Sequence, residues 1–135
     1  MIFPASLKRP PFPAALIAPK FIGSDTERAV SRAEELISKV SEVLVKAAHP
    51  KRIILFGSRA RGDSRSDSDF DVMVVEEQPS DRLREMVRLN HLLRKFDAAI
   101  DLLVVSEDRF QYWRDTPGNV YHEAASQGRT LYEAP

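Results

Sequence analysis

The segment from Gly57 to Val72, GSRARGDSRSDSDFDV, decides how this sequence is interpreted. It carries four aspartates within nine positions, from Asp63 to Asp71, and three arginines before and among them. On either side stand apolar runs, RIILF at 52–56 and VMVV at 72–75, which are typical of buried strands. Charged groups at the ends of buried strands are costly to desolvate. Such a dense cluster therefore indicates a chemical role.

The composition is that of one soluble globular domain. The 135 residues are 43% hydrophobic and 30% charged, and they are enough for a single core. The formal net charge is zero, so no whole-molecule field attracts nucleic acid or an anionic membrane, and we expect neither as a direct partner. The absence of cysteine excludes disulfides, thiolate catalysis and cysteine-ligated zinc. It is compatible with the cytoplasm, where we expect the protein to act.

The chain divides near residue 24. Residues 1–23 hold five of the nine prolines and are predicted to be a proline-rich N-terminal extension. Ser24 and Glu27 form a capping-box pattern, which predicts the start of a helix that ends before Pro50. Residues 24–135 are predicted to form the folded domain.

Strand and helix patterns alternate through the predicted domain. Apolar runs predict strands at 52–56, 70–75 and 98–105, and an edge strand at 130–132. Amphipathic segments predict a helix from Pro79, with an apolar face that begins at Leu83, and shorter helices at 106–113 and 119–127. This alternation predicts an α/β or α+β domain.

Three aspartates are candidates for one site. Asp69 and Asp71 lie two apart on a strand and therefore share a face. Asp101 lies within the third apolar strand, where we expect it to be buried, and it joins the other two if the strands are neighbours. Two carboxylates about 4 Å apart repel by roughly 4 kcal/mol at an effective dielectric near 20, so a cation or a proton is needed among them. Oxygen ligands favour Mg²⁺. The alternative is a polar loop with aspartates paired to arginines.

The Gly57–Ser58 pair directly follows a predicted strand, where phosphate-binding turns occur. A glycine lets backbone N–H groups approach phosphate oxygens, and the serine hydroxyl adds a donor. Arg59 and Arg61 add local positive charge. The alternative is a surface turn with solvated arginines.

The spacing GS-x10-DxD, followed by a third carboxylate in a later strand, resembles the signature of the DNA polymerase β nucleotidyltransferase superfamily. The sequence is most similar to the minimal MNT-type nucleotidyltransferases, small prokaryotic proteins often encoded beside HEPN-domain partners as toxin–antitoxin pairs. The resemblance covers about residues 24–132 and implies a mixed β-sheet flanked by helices.

The resemblance also assigns roles to individual residues. It implies a catalytic, metal-binding set of three carboxylates: Asp69, Asp71 and Asp101. It implies a group that binds the nucleotide phosphates: Gly57, Ser58, Arg59 and Arg61. Two Mg²⁺ ions, or Mn²⁺, are the implied cofactors, and ATP or another nucleoside triphosphate is the implied substrate.

The implied activity is transfer of a nucleoside monophosphate, AMP from ATP, to a tyrosine hydroxyl of a HEPN ribonuclease. The protein would then act as an antitoxin, within a homo- or hetero-oligomer. One alternative is a non-catalytic antitoxin that neutralises its partner by binding, and another is transfer to a small molecule. The presence of Gly57–Ser58 and of all three carboxylates favours catalysis. Tyr112, Trp113 and Tyr121 are candidates to stack on the base.

Overall fold

A computed structural model of the chain describes residues 25–65 and 68–135, with side chains described from residue 32 onward. The proline-rich extension and Ser24 of the capping box lie outside these residues. Helices and strands follow one another in this order: α1 Asp25–Ala48, β1 Arg52–Phe56, α2 Ser58–Arg61, β2 Phe70–Glu76, α3 Arg82–Leu92, a 3-10 turn Leu93–Lys95, β3 Ile100–Ser106, α4 Glu107–Trp113, α5 Val120–Gln127 and β4 Arg129–Glu133.

The four strands form one mixed sheet in the order β3-β2-β1-β4. Strand β1 is antiparallel to both β2 and β4, and β3 is parallel to β2. The parallel pair requires a crossover, which α3 provides. The predicted α+β fold and the predicted edge strand near residue 131 are therefore confirmed.

Helices cover both faces of the sheet, which explains why the central strands are apolar at every position. On one face, Ile53 and Leu55 pack with α1 and α3. On the other face, Ile54 and Phe56 pack with α4 and α5, around the buried Phe110. None of the helices in residues 25–65 and 68–135 combines the length and apolarity that crossing a bilayer requires.

Helix caps agree closely with the polar residues at the predicted boundaries. The side chains of Asp81, Ser106 and Asn119 accept hydrogen bonds from the N–H groups of Arg84, Arg109 and His122, respectively. Each bond satisfies an N–H that a first helical turn leaves without an intrahelical partner. Caps of this kind begin α3, α4 and α5 within one to three residues of the predicted positions.

The apolar face predicted for α3 is wrong at Leu83, and its next position, which periodicity leaves open between Met86 and Val87, is Met86. Leu83 is 69% exposed and Val87 is 70% exposed. The helix instead packs through Met86 and Leu89, and the core continues into Leu93 of the 3-10 turn. Val87 lies about 100° around the helix from Met86, so both cannot face the sheet.

A carboxyl pair lies at the end of β2 away from the GSRARG segment. Burial, together with a hydrogen bond to Glu85, raises the pKa of Glu76 to about 8. The pKa of Glu85 is lowered because Arg88 donates hydrogen bonds to it at 2.8 and 2.9 Å. Arg88 also donates to the Ala47 carbonyl oxygen at 2.9 Å, and so connects α3 with α1.

Candidate active site

The predicted site residues meet at one end of the sheet, where β1 ends and β2 and β3 begin. Antiparallel pairing places Phe56, the last residue of β1, opposite Asp71. Parallel pairing aligns Asp71 with Asp101. The condition for Asp101 to join the other aspartates, that the second and third strands are neighbours, is therefore met. Asp71 shares its face with Met73, which packs in the α4–α5 core layer, so Asp71 and its register partner Asp101 lie on that face.

Gly57 connects β1 to this carboxylate group. Its backbone has φ 72° and ψ −156°, a conformation that is essentially restricted to glycine. A Cβ added there would lie closer than 3.0 Å to Asp71 Oδ2. The missing side chain thus leaves room for the Asp71 carboxylate against the backbone of the turn.

The residues after Gly57 form a one-turn helix, α2, which the sequence analysis did not predict. The N–H groups of Ala60 and Arg61 both donate to the Gly57 carbonyl oxygen at 3.1 Å. Gly62 ends the helix in the left-handed conformation, with φ 85°. Ser58 stands at the first position of this helix and is partly exposed, beside the turn that Gly57 makes.

Arg59 holds the chain on both sides of Asp69. Its guanidinium donates two hydrogen bonds to the Ser68 carbonyl oxygen, at 3.2 Å from Nε and 2.8 Å from Nη2. The same guanidinium lies over the Phe70 ring, 4.2 Å from the centroid. Ser68 and Phe70 flank Asp69, so Arg59 fixes the entry of this aspartate into β2. Its predicted contact with phosphate remains a prediction.

Arg61 bridges the turn and the last helix. Its Nε lies 3.4 Å from Asp63 Oδ2, and its Nη1 lies 3.8 Å from Glu123 Oε2. Glu123 belongs to the first turn of α5 and was not identified from the sequence. No spacing relative to the GSRARG segment indicated it, because only the packing of α5 against the sheet brings it to this end.

The carboxylates influence one another. Burial, followed by the negative charges of Asp101, Asp69 and Glu123, raises the pKa of Asp71, and Arg61 opposes this rise. The rise means that the charged form of Asp71 is disfavoured in the folded chain. A positive charge among these groups would relieve that repulsion.

The expectation that Asp101 is buried is wrong: its side chain is exposed. Strand β3 is an edge strand, and Asp101 lies near its start, before the segment that α4 covers. The residues that follow Asp101 are apolar because Leu102 and Val104 are buried on the opposite face of the sheet.

The comparison with protein families decides the class. The family described as polymerase beta, nucleotidyltransferase, matches residues 38–135, most of the chain. The chain belongs to this nucleotidyltransferase family. The enzyme class expected from the GS-x10-DxD spacing is thereby confirmed, as is the fold.

Individual nucleotidyltransferase relatives agree with this assignment. A Methanocaldococcus jannaschii protein named "Putative protein adenylyltransferase" is 34% identical over 82 residues, which span 61% of this chain and 78% of the relative. A solved structure named as a putative nucleotidyltransferase from Sulfolobus solfataricus has a TM-score of 0.60 at 17% identity, covering 85% of this chain and 93% of that one.

Toxin–antitoxin structures share the nucleotidyltransferase fold as well. A toxin–antitoxin with AMP-PNP has a TM-score of 0.51 at 21% identity, covering 72% of this chain and 73% of that one. A mutant MntA-HpeT toxin–antitoxin has a TM-score of 0.51 at 18% identity, covering 71% of this chain and 72% of that one. At these identities the likeness is one of fold.

The donor atoms of the site suit a hard divalent cation. Within residues 25–65 and 68–135, no three His, Asp or Glu side chains are arranged as ligands of a single ion. The acidic groups at the strand ends nevertheless offer only oxygen, and their mutual repulsion is the environment that Mg²⁺ or Mn²⁺ would relieve. Asp69, Asp71 and Asp101 are the residues that would hold such ions.

The aromatic residues considered for base stacking differ in their surroundings. Tyr112 is exposed, and its ring contacts that of Trp113 edge to face, with 4.8 Å between centroids. Tyr121 packs against the core layer beneath α4 and α5. A stacking role therefore stays a prediction for all three.

Proposed function

We propose that this nucleotidyltransferase moves AMP from ATP to a tyrosine hydroxyl of a protein partner, a HEPN ribonuclease, and thereby acts as its antitoxin. One observation carries the proposal: Asp71 stands in register with Asp101 on neighbouring strands while its carboxylate lies against the turn at Gly57. The relative named as a protein adenylyltransferase supports a protein acceptor. The toxin–antitoxin structures of the same fold support the antitoxin role.

The turn provides the nucleotide subsite in this proposal. Gly57 has no side chain, so phosphate oxygens can approach its backbone closely, and the Ser58 hydroxyl is a donor beside it. Arg61, exposed at the end of α2, supplies positive charge for the phosphates. Arg59 contributes through Asp69, whose position it fixes from both sides.

The carboxylates provide the metal subsite and the base. When bound, Mg²⁺ or Mn²⁺ supplies charge neutralisation of the triphosphate and acidification of the acceptor hydroxyl. Asp69 and Asp71 would hold the cation, and Asp101 accepts the hydroxyl proton. A bond forms between the acceptor oxygen and the α-phosphorus, the bond from the α-phosphorus to the bridging oxygen breaks, and pyrophosphate leaves.

The exposure of Asp101 supports a large acceptor. Its strand is at the edge of the sheet, so the proposed base is open to a side chain presented by another protein. A partner that docks at this edge would also exclude water from the reaction. We expect the protein to act in the cytoplasm, where ATP and such a partner meet.

The test is transfer of label from α-labelled ATP to the purified partner with Mg²⁺. We expect the wild type to label one tyrosine, located by mass spectrometry, and to inhibit the ribonuclease. Asp71→Asn should abolish both effects. Asp115→Asn is the matched control because this aspartate is 92% exposed and lies in the α4–α5 connection. If Asp71→Asn inhibits the ribonuclease fully without labelling it, the protein is a binding antitoxin and the enzymatic proposal is wrong.

A further inference from the structure

The ion pair of Arg61 with Glu123 differs from two more buried arginine–glutamate pairs among the described residues. Arg52 lies 2.7 Å from Glu107, and these side chains are only 17% and 19% exposed. Arg129 donates two hydrogen bonds to Glu34, at 2.9 and 3.1 Å. These two pairs join distant elements firmly. They are the geometry expected of a structural ion pair.

The pair between Arg61 and Glu123 is loose by comparison. Its atoms are 3.8 Å apart, beyond hydrogen-bonding distance, and the side chains are 39% and 40% exposed. An exposed pair of this kind holds its partners weakly and can exchange them. Asp63, at 3.4 Å, is the second carboxylate beside the same guanidinium. Arg61 is therefore largely neutralised, but not immobilised, at the rim of the site.

We propose that Glu123 is a positioning residue that keeps Arg61 away from the nucleotide until a divalent cation is present, and so makes ATP binding depend on that cation. This inference rests on the proposed nucleotidyl transfer. Without the cation, an arriving triphosphate meets three aspartates and Glu123, and Arg61 is already neutralised. With the cation bound, most of the local negative charge is neutralised, and Arg61 exchanges Glu123 for a phosphate oxygen.

The position of Arg61 supports the same arrangement. Gly57, whose backbone lies against the Asp71 carboxylate, begins the turn that leads into α2, and Arg61 is the last residue of that helix. Removing the charge of Glu123 should release Arg61 and weaken the repulsion of the triphosphate. Both effects tighten the binding of ATP. If Glu123 instead held Arg61 in the position that binds phosphate, its loss would weaken the binding of ATP.

The experiment measures the dissociation constant of ATP by calorimetry, in EDTA and in saturating Mg²⁺. In EDTA, Glu123→Gln should bind ATP about two- to five-fold more tightly than the wild type, the range that corresponds to an exposed ion pair. In Mg²⁺ the difference should be smaller. Glu123→Asp keeps the charge and should resemble the wild type. Glu77→Gln, an equal charge change at the opposite end of β2, should have no effect.

A double-mutant cycle tests whether the effect passes through Arg61. In an Arg61→Gln background, Glu123→Gln should tighten ATP binding clearly less than it does in the wild-type background. An equal gain in both backgrounds would show a general charge effect and would overturn the proposal. Weaker or unchanged ATP binding by Glu123→Gln would overturn it too. If the wild type binds no ATP even with Mg²⁺, the proposed transfer fails first and the inference fails with it.

Discussion

Replacing Gly57 by alanine should affect stability and activity through one identifiable contact. The native φ and ψ at this position lie in a region that costs other residues about 1–3 kcal/mol. In addition, the new Cβ would overlap Asp71 Oδ2, so the carboxylate must leave its rotamer, at about 0.5–1.5 kcal/mol. We expect a total loss of about 3 kcal/mol, or about 10 °C in Tm for a chain of this length.

Gly62 provides the matched control for this substitution. It also has a positive φ, 85°, but a Cβ added there meets nothing within 4 Å. Gly62→Ala should therefore show only the cost of the left-handed conformation, about 1–2 kcal/mol, reduced by the lower entropy of the unfolded chain. Nucleotidyl transfer should survive Gly62→Ala and be lost in Gly57→Ala, because only the latter displaces Asp71.

Thermal melting and labelled-ATP transfer check these expectations together. In an Asp71→Ala background the overlap is gone, so Gly57→Ala should reduce stability only by the cost of the backbone conformation. If Gly57→Ala is no less stable than Gly62→Ala and still transfers AMP, the contact between the turn and Asp71 does not organise the site, and the reasoning is refuted.

Three further predictions concern charge and loop position. Because the pKa of Asp71 is raised in the folded chain, its ionisation costs stability as pH rises above the ordinary value of 3.8; Asp71→Asn should raise Tm at pH 7 in EDTA and leave it unchanged at low pH. Because the pKa of Glu76 is raised, the wild type loses stability as the pH rises from about 4.5 to 8. The Tm of Glu76→Gln should therefore change less over that range than the Tm of the wild type, and a steeper fall in the variant would contradict this. Arg59→Lys keeps the charge but loses the bidentate contact with Ser68; it should cost about 1 kcal/mol and speed amide exchange at Asp69, whereas Arg84→Lys, at an 88% exposed side chain, should do neither.

The sequence predicted the sheet well because its strands are strongly patterned. Runs such as 52–56 and 72–75 are apolar at every position, which requires cover on both faces, and α1 with α3 and α4 with α5 provide that cover. Helix α2 was missed since a single turn, SRAR, has too few residues to show any apolar periodicity. The face of α3 was misassigned at Leu83 because periodicity alone does not reveal where the packed partner ends.

The site was predictable in its motif and not in its surroundings. The DxD spacing predicted that Asp69 and Asp71 share a face; Asp71 lies in β2 and Asp69 directly precedes it, and Asp101 joins Asp71 because β3 lies beside β2. Glu123 comes from a helix more than fifty residues later, so only tertiary packing reveals it. The exposure of Asp101 depends on β3 being an edge strand, which the order of strands in the sequence does not determine.

The strand order also fixes the sequence of events by which the site is completed as the chain folds. Strands β1 and β2 are close in the sequence, so their antiparallel pairing closes a short loop and can bring Gly57 against Asp71 early. The parallel pairing of β2 with β3 must wait until the whole crossover through α3 has formed. Such long-range pairing is slow. A nascent chain therefore displays the turn and the first two carboxylates before Asp101 reaches them, and chemistry begins only after β3 has paired with β2.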